Sequence, residues 1–202
     1  MRELCVASDN AGKLAELTRL LASTAWRVLP QCACGVTPVD ETGSTFLENA
    51  LLKARNAAAV SGLPALADDS GLEVDALGGA PGVRSARYAG EHATAADNTA
   101  KLLAALRGIP ADARGARFRC VIVLVRHAHD PAPIVCEGVW EGAIATTPRG
   151  ANGFGYDPVF LPAGSTVTSA ELAPAEKDRG SHRGQALRQL LPALEGFLHS
   201  HG

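Results

Sequence analysis

Apolar residues recur along the 202-residue chain in two patterns, short unbroken runs and stripes spaced three or four residues apart, which predict alternating strands and helices. Leu4-Cys5-Val6-Ala7 predicts a buried strand, and Leu14, Leu17, Leu20 and Leu21 follow at helical spacing. The six residues separating them, Ser8-Asp9-Asn10-Ala11-Gly12-Lys13, form a tight strand-to-helix turn. Trp26 to Leu29 predicts a second short strand and Pro30 to Gly43 a loop. Thr45-Phe46-Leu47-Glu48 matches a capping box, opening a helix with an apolar stripe of Phe46, Leu47, Ala50, Leu51, Ala54, Ala57 and Ala58.

The apolar run Leu63-Pro64-Ala65-Leu66 is followed by Ala67-Asp68-Asp69-Ser70-Gly71, which predicts an acidic turn at a strand end, and then by the alternating Leu72-Glu73-Val74-Asp75. Leu77 to Val83 is too rich in glycine for regular structure and reads as an ordered loop covering a site. Thr94 caps a helix expected to turn Ala100, Leu103, Ala104 and Leu106 inward. Cys120 to Val125 is a continuous apolar run, the pattern of a central strand covered on both faces. Ile134 to Cys136, Val139 to Ile144 and Val159 to Leu161 continue in strand style, Ala170 to Lys177 predicts a helical turn, and the last helix carries Leu187, Leu190, Leu191 and Leu194. Pro192 is expected to kink or end it.

Composition narrows the partners. A net charge of -2 supplies no broad basic field for a nucleic-acid backbone or an anionic membrane, so any phosphate recognised belongs to a small molecule. Without a signal-peptide core or a stretch of membrane-spanning length, the expected location is the cytosol. The five cysteines are odd in number and lack C-x-x-C spacing, which argues against a disulfide framework or a zinc knuckle; Cys5 and Cys120 read as small core residues. His127 and His129 have no cysteine or carboxylate at ligand spacing and read as exposed.

Three stretches carry candidate chemistry. A helix start offers backbone N-H groups to an anion, to which Ser8, Asn10 and Lys13 add donors, although Asn10 or Ser8 also suits an ordinary cap. Paired carboxylates followed by a hydroxyl and a glycine, Asp68-Asp69-Ser70-Gly71, suit a hard cation and a phosphorylated ligand, and equally suit a plain turn. In an extended strand Asp68 and Asp69 point to opposite faces, so both enter one site only if the backbone turns there. In Gly150-Ala151-Asn152-Gly153-Phe154-Gly155-Tyr156-Asp157, glycines admit a flat ligand, an aromatic stacks on it and the carboxylate accepts from a base edge; the alternative is a tight loop with inward aromatics. Lys53 follows Asn49 by four residues on one helix face, which lets it reach into a crevice beside the helix or, as is commoner for a lone helical lysine, lie in solvent.

Taken in order, Ser8 to Lys13, Glu41-Thr42-Gly43, Glu48-Asn49-Ala50 to Lys53, Ala67 to Gly71, Phe154 to Pro158 and Ser181-His182-Arg183-Gly184 closely resemble the inosine triphosphate pyrophosphatase family over nearly the whole chain. The resemblance implies one α/β domain over residues 1-202, an elongated mixed sheet flanked by helices, with two lobes and the nucleotide in the cleft between them. It implies a homodimer that hydrolyses ITP, dITP, XTP and dXTP to the monophosphate and pyrophosphate with Mg2+.

The site residues it implies are Asp69 as general base and Lys53 as its catalytic partner, with Glu41 and Asp69 as metal ligands. Ser8, Asp9, Asn10, Ala11, Gly12, Lys13, Ser70, Phe154, Gly155, Tyr156, Asp157, Lys177, His182 and Arg183 line the substrate. Lys13, Lys53 and Lys177 are expected to neutralise phosphate charge, and His182 or Arg183 to donate to a 6-keto oxygen. Asp9 departs from the glycine common in relatives and adds a carboxylate beside the phosphate turn, which weakens anion binding unless it points away. A non-catalytic nucleotide sensor and a pyrophosphatase for a modified pyrimidine nucleotide are the alternative readings.

Overall fold

β1 (Arg2–Val6) buries Leu4, Cys5 and Val6 completely and pairs in parallel with β2 (Trp26–Pro30) on one side and β3 (Ala65–Val74) on the other, with Cys5 opposite Leu29 and Ala65. The structure is a computed structural model that describes residues 2–197. Six strands form one sheet in the order β2-β1-β3-β4-β5-β6, where β4 is Gly115–Val125, β5 Ile134–Ile144 and β6 Phe160–Pro162. β6 pairs antiparallel with β5, so the sheet is mixed, as the family resemblance implies.

The chain forms two compact units, each discontinuous in sequence. The first comprises residues 1–69, 120–138 and 183–202. Its core joins Leu4, Val6, Leu66, Cys120, Ile122 and Leu124 of the strands to Leu17 and Leu21 of α1 (Ala11–Leu21) and to Leu187, Leu190 and Leu194 of α5 (His182–Gly196). The hydrophobic effect at these fully buried aliphatic positions, about 1.5–3 kcal/mol each, holds both helices to the sheet. α2 (Phe46–Ser61) belongs to the same unit; it opens with the capping box its sequence predicts and ends at Gly62 in the left-handed region.

The second unit comprises residues 70–119 and 139–182. Leu72, Val74, Phe118, Ile144, Tyr156, Val159 and Phe160 pack with Leu102 and Leu106 from and just after α3 (Ala95–Ala105). α4 (Pro174–Gly180) completes it.

Four predicted elements are corrected or narrowed. Asp68-Asp69-Ser70-Gly71 is not a turn but the middle of β3, because cations and an amide engage the carboxylates that would otherwise disfavour a buried strand. The segment after β2 is not all loop, since Gln31–Cys34 forms a 3-10 turn. α5 runs through Pro192 to Gly196, so of the two outcomes expected of Pro192 it does not end the helix; Pro192 is exposed, with Leu190 and Leu194 buried on either side. In α3 Ala100 and Ala104 are exposed while Asn98, Thr99 and Leu102 are buried. The Asn98 amide accepts from the Ala89 N-H and donates to the Ala86 carbonyl, which turns that face inward.

Candidate active site

In the first unit the β1–α1 turn is a helix cap. Asn10 Oδ1 accepts from the Lys13 N-H at 3.0 Å and the Ser8 hydroxyl accepts from the Asn10 N-H at 3.2 Å. Ala11 and Gly12 open the helix. Lys13 is not solvated: its Nζ lies 3.1 Å from Asp68 Oδ2 and its side chain is 15% exposed. The added carboxylate of Asp9 is tethered, accepting from Gln31 Nε2 at 2.6 Å.

One face of α2 supplies the next group. Lys53 Nζ reaches Glu41 Oε1 at 2.7 Å and Asp69 Oδ1 at 3.1 Å, while Asn49 Nδ2 donates to Asp69 Oδ2 at 3.2 Å. The fully buried Asn49 also accepts from the Gly43 N-H at 2.8 Å, which secures the segment carrying Glu41. A Cβ at Gly43 would lie 2.6 Å from Asn49 Oδ1, so this approach requires glycine.

The two adjacent aspartates differ in partners and in proton affinity. Asp68 is buried, yet Lys13 and Arg183 outweigh the desolvation and hold its carboxyl far below the usual carboxylate range. Asp69 is pushed up by burial and by the Glu41 charge, against the pull of Lys53 and Lys13. Burial disfavours the Lys53 ammonium, but Asp69, Asp68 and Glu41 raise its pKa overall, so it stays charged. Oppositely displaced carboxylates distinguish the group that takes up a proton more readily, Asp69, from the one held ionised, Asp68.

In the second unit Asp157 is buried and occupied: it accepts from Lys177 Nζ at 2.6 Å, the Ser169 hydroxyl at 2.7 Å and the Phe154 N-H at 2.8 Å. Gly153 has φ +76° and Gly155 φ +62°. Lys177 Nζ sits 4.9 Å above the Phe154 ring centroid. Tyr156 is buried, and its hydroxyl donates to the Ser85 carbonyl at 2.9 Å. His182 stacks on Phe118, with centroids 4.8 Å apart and planes 13° apart. Ser70, the first residue of this unit, is half-buried in β3.

The predicted residues therefore divide. Glu41, Lys53 and Asp69 converge in one cluster, and Asp68, the preceding residue of β3, pairs with Lys13 of α1. Of the others, Asp157 fastens its own loop, Tyr156 is core, and Arg183, 1% exposed, donates to Asp68 and Glu16. Lys177 likewise answers Asp157. Residue spacing gave no sign of Glu16, a buried glutamate on the helix of Lys13.

Among the described residues no group of three or more His, Cys, Asp or Glu side chains is arranged around a metal ion. The donor set still suits magnesium, which takes one or two carboxylates and completes its octahedron with phosphate oxygens and water. Glu41 and Asp69, drawn to one ammonium, present such a pair.

A mixed α/β sheet that carries two adjacent buried carboxylates, one paired with a lysine at a helix start and the other with a lysine within a second helix, is suited to handle a phosphorylated anion. The chain belongs to the Ham1 family, whose model matches residues 4–193. It is 59% identical over 197 residues to the dITP/XTP pyrophosphatase of Xanthomonas oryzae pv. oryzae, covering 98% of this chain and 99% of that one. To the dITP/XTP pyrophosphatase of Vibrio cholerae it is 54% identical over 195 residues, 96% and 98% of the two chains. The solved HAM1 protein of Coxiella burnetii superimposes with a TM-score of 0.89 at 53% identity, covering 96% of this chain and 99% of that one.

Proposed function

We propose that this protein hydrolyses the non-standard purine nucleoside triphosphates ITP, dITP, XTP and dXTP to the monophosphate and pyrophosphate. The observation that carries the reading is the buried Asp69 with its raised proton affinity, 3.1 Å from the charged Lys53. The near-full-length similarity to proteins named dITP/XTP pyrophosphatase supports it.

Phosphate-anhydride hydrolysis requires water to approach a polyanion, so catalysis rests on positioning and charge stabilisation. Lys53 and Lys13 supply positive charge to the phosphates, aided by N-H groups at the start of α1. Asp69, oriented by Asn49, accepts the proton of the attacking water. Glu41 and Asp69 are the residues that would hold Mg2+, which when bound neutralises phosphate charge. Phe154 offers the purine a stacking face, backed by Lys177, and His182, held flat against Phe118, is the donor assigned to the 6-keto oxygen. Adenine, which presents a 6-amino group there, is left unpaired. A cytosolic homodimer is the working form under this reading.

The test is pyrophosphate release from ITP, XTP, GTP, ATP and dTTP, with Mg2+ and with chelator. Fast, chelator-sensitive release from ITP and XTP alone is expected; turnover of GTP or dTTP instead overturns the assignment of the base, and no turnover of any overturns the hydrolase.

A further inference from the structure

Glu16 belongs to none of the stretches that carry the proposed chemistry, yet it is a buried carboxylate, 6% exposed, on the same face of α1 as Lys13 three residues earlier. Its Oε2 accepts from Arg183 Nη1 of α5. Arg183 in turn donates to Asp68 Oδ2 through Nη2 at 2.9 Å and Nε at 3.3 Å, and that same oxygen lies 3.1 Å from Lys13 Nζ. The series Glu16, Arg183, Asp68, Lys13 therefore alternates in sign, sums to zero and leaves α1 and returns to it.

A neutral buried series needs no counter-ion from outside, so its stability is satisfied with α1 docked. Its geometry also does something that a pair would not. Asp68 Oδ2 is shared by two cations; with Arg183 drawn to Glu16 on its other side, the guanidinium does not move wholly onto Asp68, and Lys13 keeps its partner. We propose that Glu16 is a positioning residue, which acts through Arg183 and Asp68 to hold the Lys13 ammonium where the nucleotide's phosphates are received. This rests on the phosphate-binding role given above to Lys13. A lysine fixed in advance loses less side-chain freedom when the anion arrives, so the effect falls on binding.

A double-mutant cycle tests the route. Wild type, Glu16→Gln, Lys13→Met and the double variant are compared by calorimetric binding of inorganic tripolyphosphate without metal, and by kcat and KM for ITP with Mg2+. Neighbours in one network couple, so Glu16→Gln is expected to weaken tripolyphosphate binding and raise KM roughly fivefold to tenfold with little change in kcat, and to do neither in the Lys13→Met background. Equal losses in both backgrounds make Glu16 a purely structural residue and overturn the proposal. So does wild-type protein that fails to bind tripolyphosphate, whereas wild-type protein that binds it without hydrolysing ITP overturns the function and leaves the cycle readable. If Glu16→Gln does not fold, Glu16→Asp, which keeps the charge and withdraws it by one methylene, takes its place in the cycle: a loss confined to the Lys13 background supports the proposal, and equal losses in both overturn it.

Discussion

Asp68 and Asp69 are neighbours in β3 with opposite electrostatic fates, one held ionised by Lys13 and Arg183 and the other raised in pKa by burial beside Lys53. Strand alternation sends them to different helices, Asp68 to α1 and α5 and Asp69 to α2. Asp69→Asn is accordingly expected to bind ITP within a few-fold of wild type and to lose about 10²–10⁴ in turnover, the usual worth of a positioned general base. Calorimetry and single-turnover kinetics separate the two effects; near-normal turnover would remove Asp69 from the role.

Lys53 opposes the upward push on Asp69. Replacing it with methionine raises the Asp69 pKa further, so the acidic limb of kcat/KM against pH moves to higher pH in Lys53→Met. A limb that stays in place would mean that another group controls it.

Asp68 has a depressed folded-state pKa, so its contribution to stability is present above the unfolded carboxylate value, about 3.9, and is lost as pH falls toward the folded value. Asp68→Asn leaves Arg183 short of a carboxylate and is expected to cost about 3–5 kcal/mol at neutral pH. Denaturant melts from pH 7 to pH 3 should show wild-type stability falling more steeply below about pH 4 than that of the variant.

A Cβ on Gly153 would collide with the Asp157 carboxylate and lie 3.2 Å from Lys177 Nζ, at a φ of +76°. Gly153→Ala should therefore disturb the lysine-backed Phe154 and raise KM for ITP more than it lowers kcat, with at least about 1 kcal/mol of lost stability. Unchanged KM would separate Phe154 from nucleotide binding.

Local signals were the readable ones. The Thr45–Glu48 capping box, the cluster of leucines on α1 and the unbroken run of β4 each depend on residues a few positions apart, and each is found where the pattern places it. The exposure of His127 and His129 and the burial of Cys5 and Cys120 follow from their neighbours in the same way. Lys53 was legible because α2 sets it one turn from Asn49. What misled was chemistry fixed by distant partners. Asp68-Asp69-Ser70-Gly71 has the composition of a turn, and only the arrival of Lys13, Lys53, Asn49 and Arg183 makes it a strand. Asp157 meets its partners Ser169 and Lys177 from 12 and 20 residues away, beyond the reach of a local pattern. The buried face of α3 was misplaced because alanine carries little preference, and an asparagine held by two backbone groups settled the rotation.

The guanidinium that completes the α1 network stands 115 residues after Asp68 and 167 after Glu16. During synthesis it follows both carboxylates by more than a hundred residues, and until it is made they have no arginine to meet. Burying them early would leave Asp68 with Lys13 alone and Glu16 without its arginine, which disfavours premature closure of α1 onto β3. A chain lacking Arg183 should hold α1 on β3 less firmly and be cut faster by proteases than one that has it.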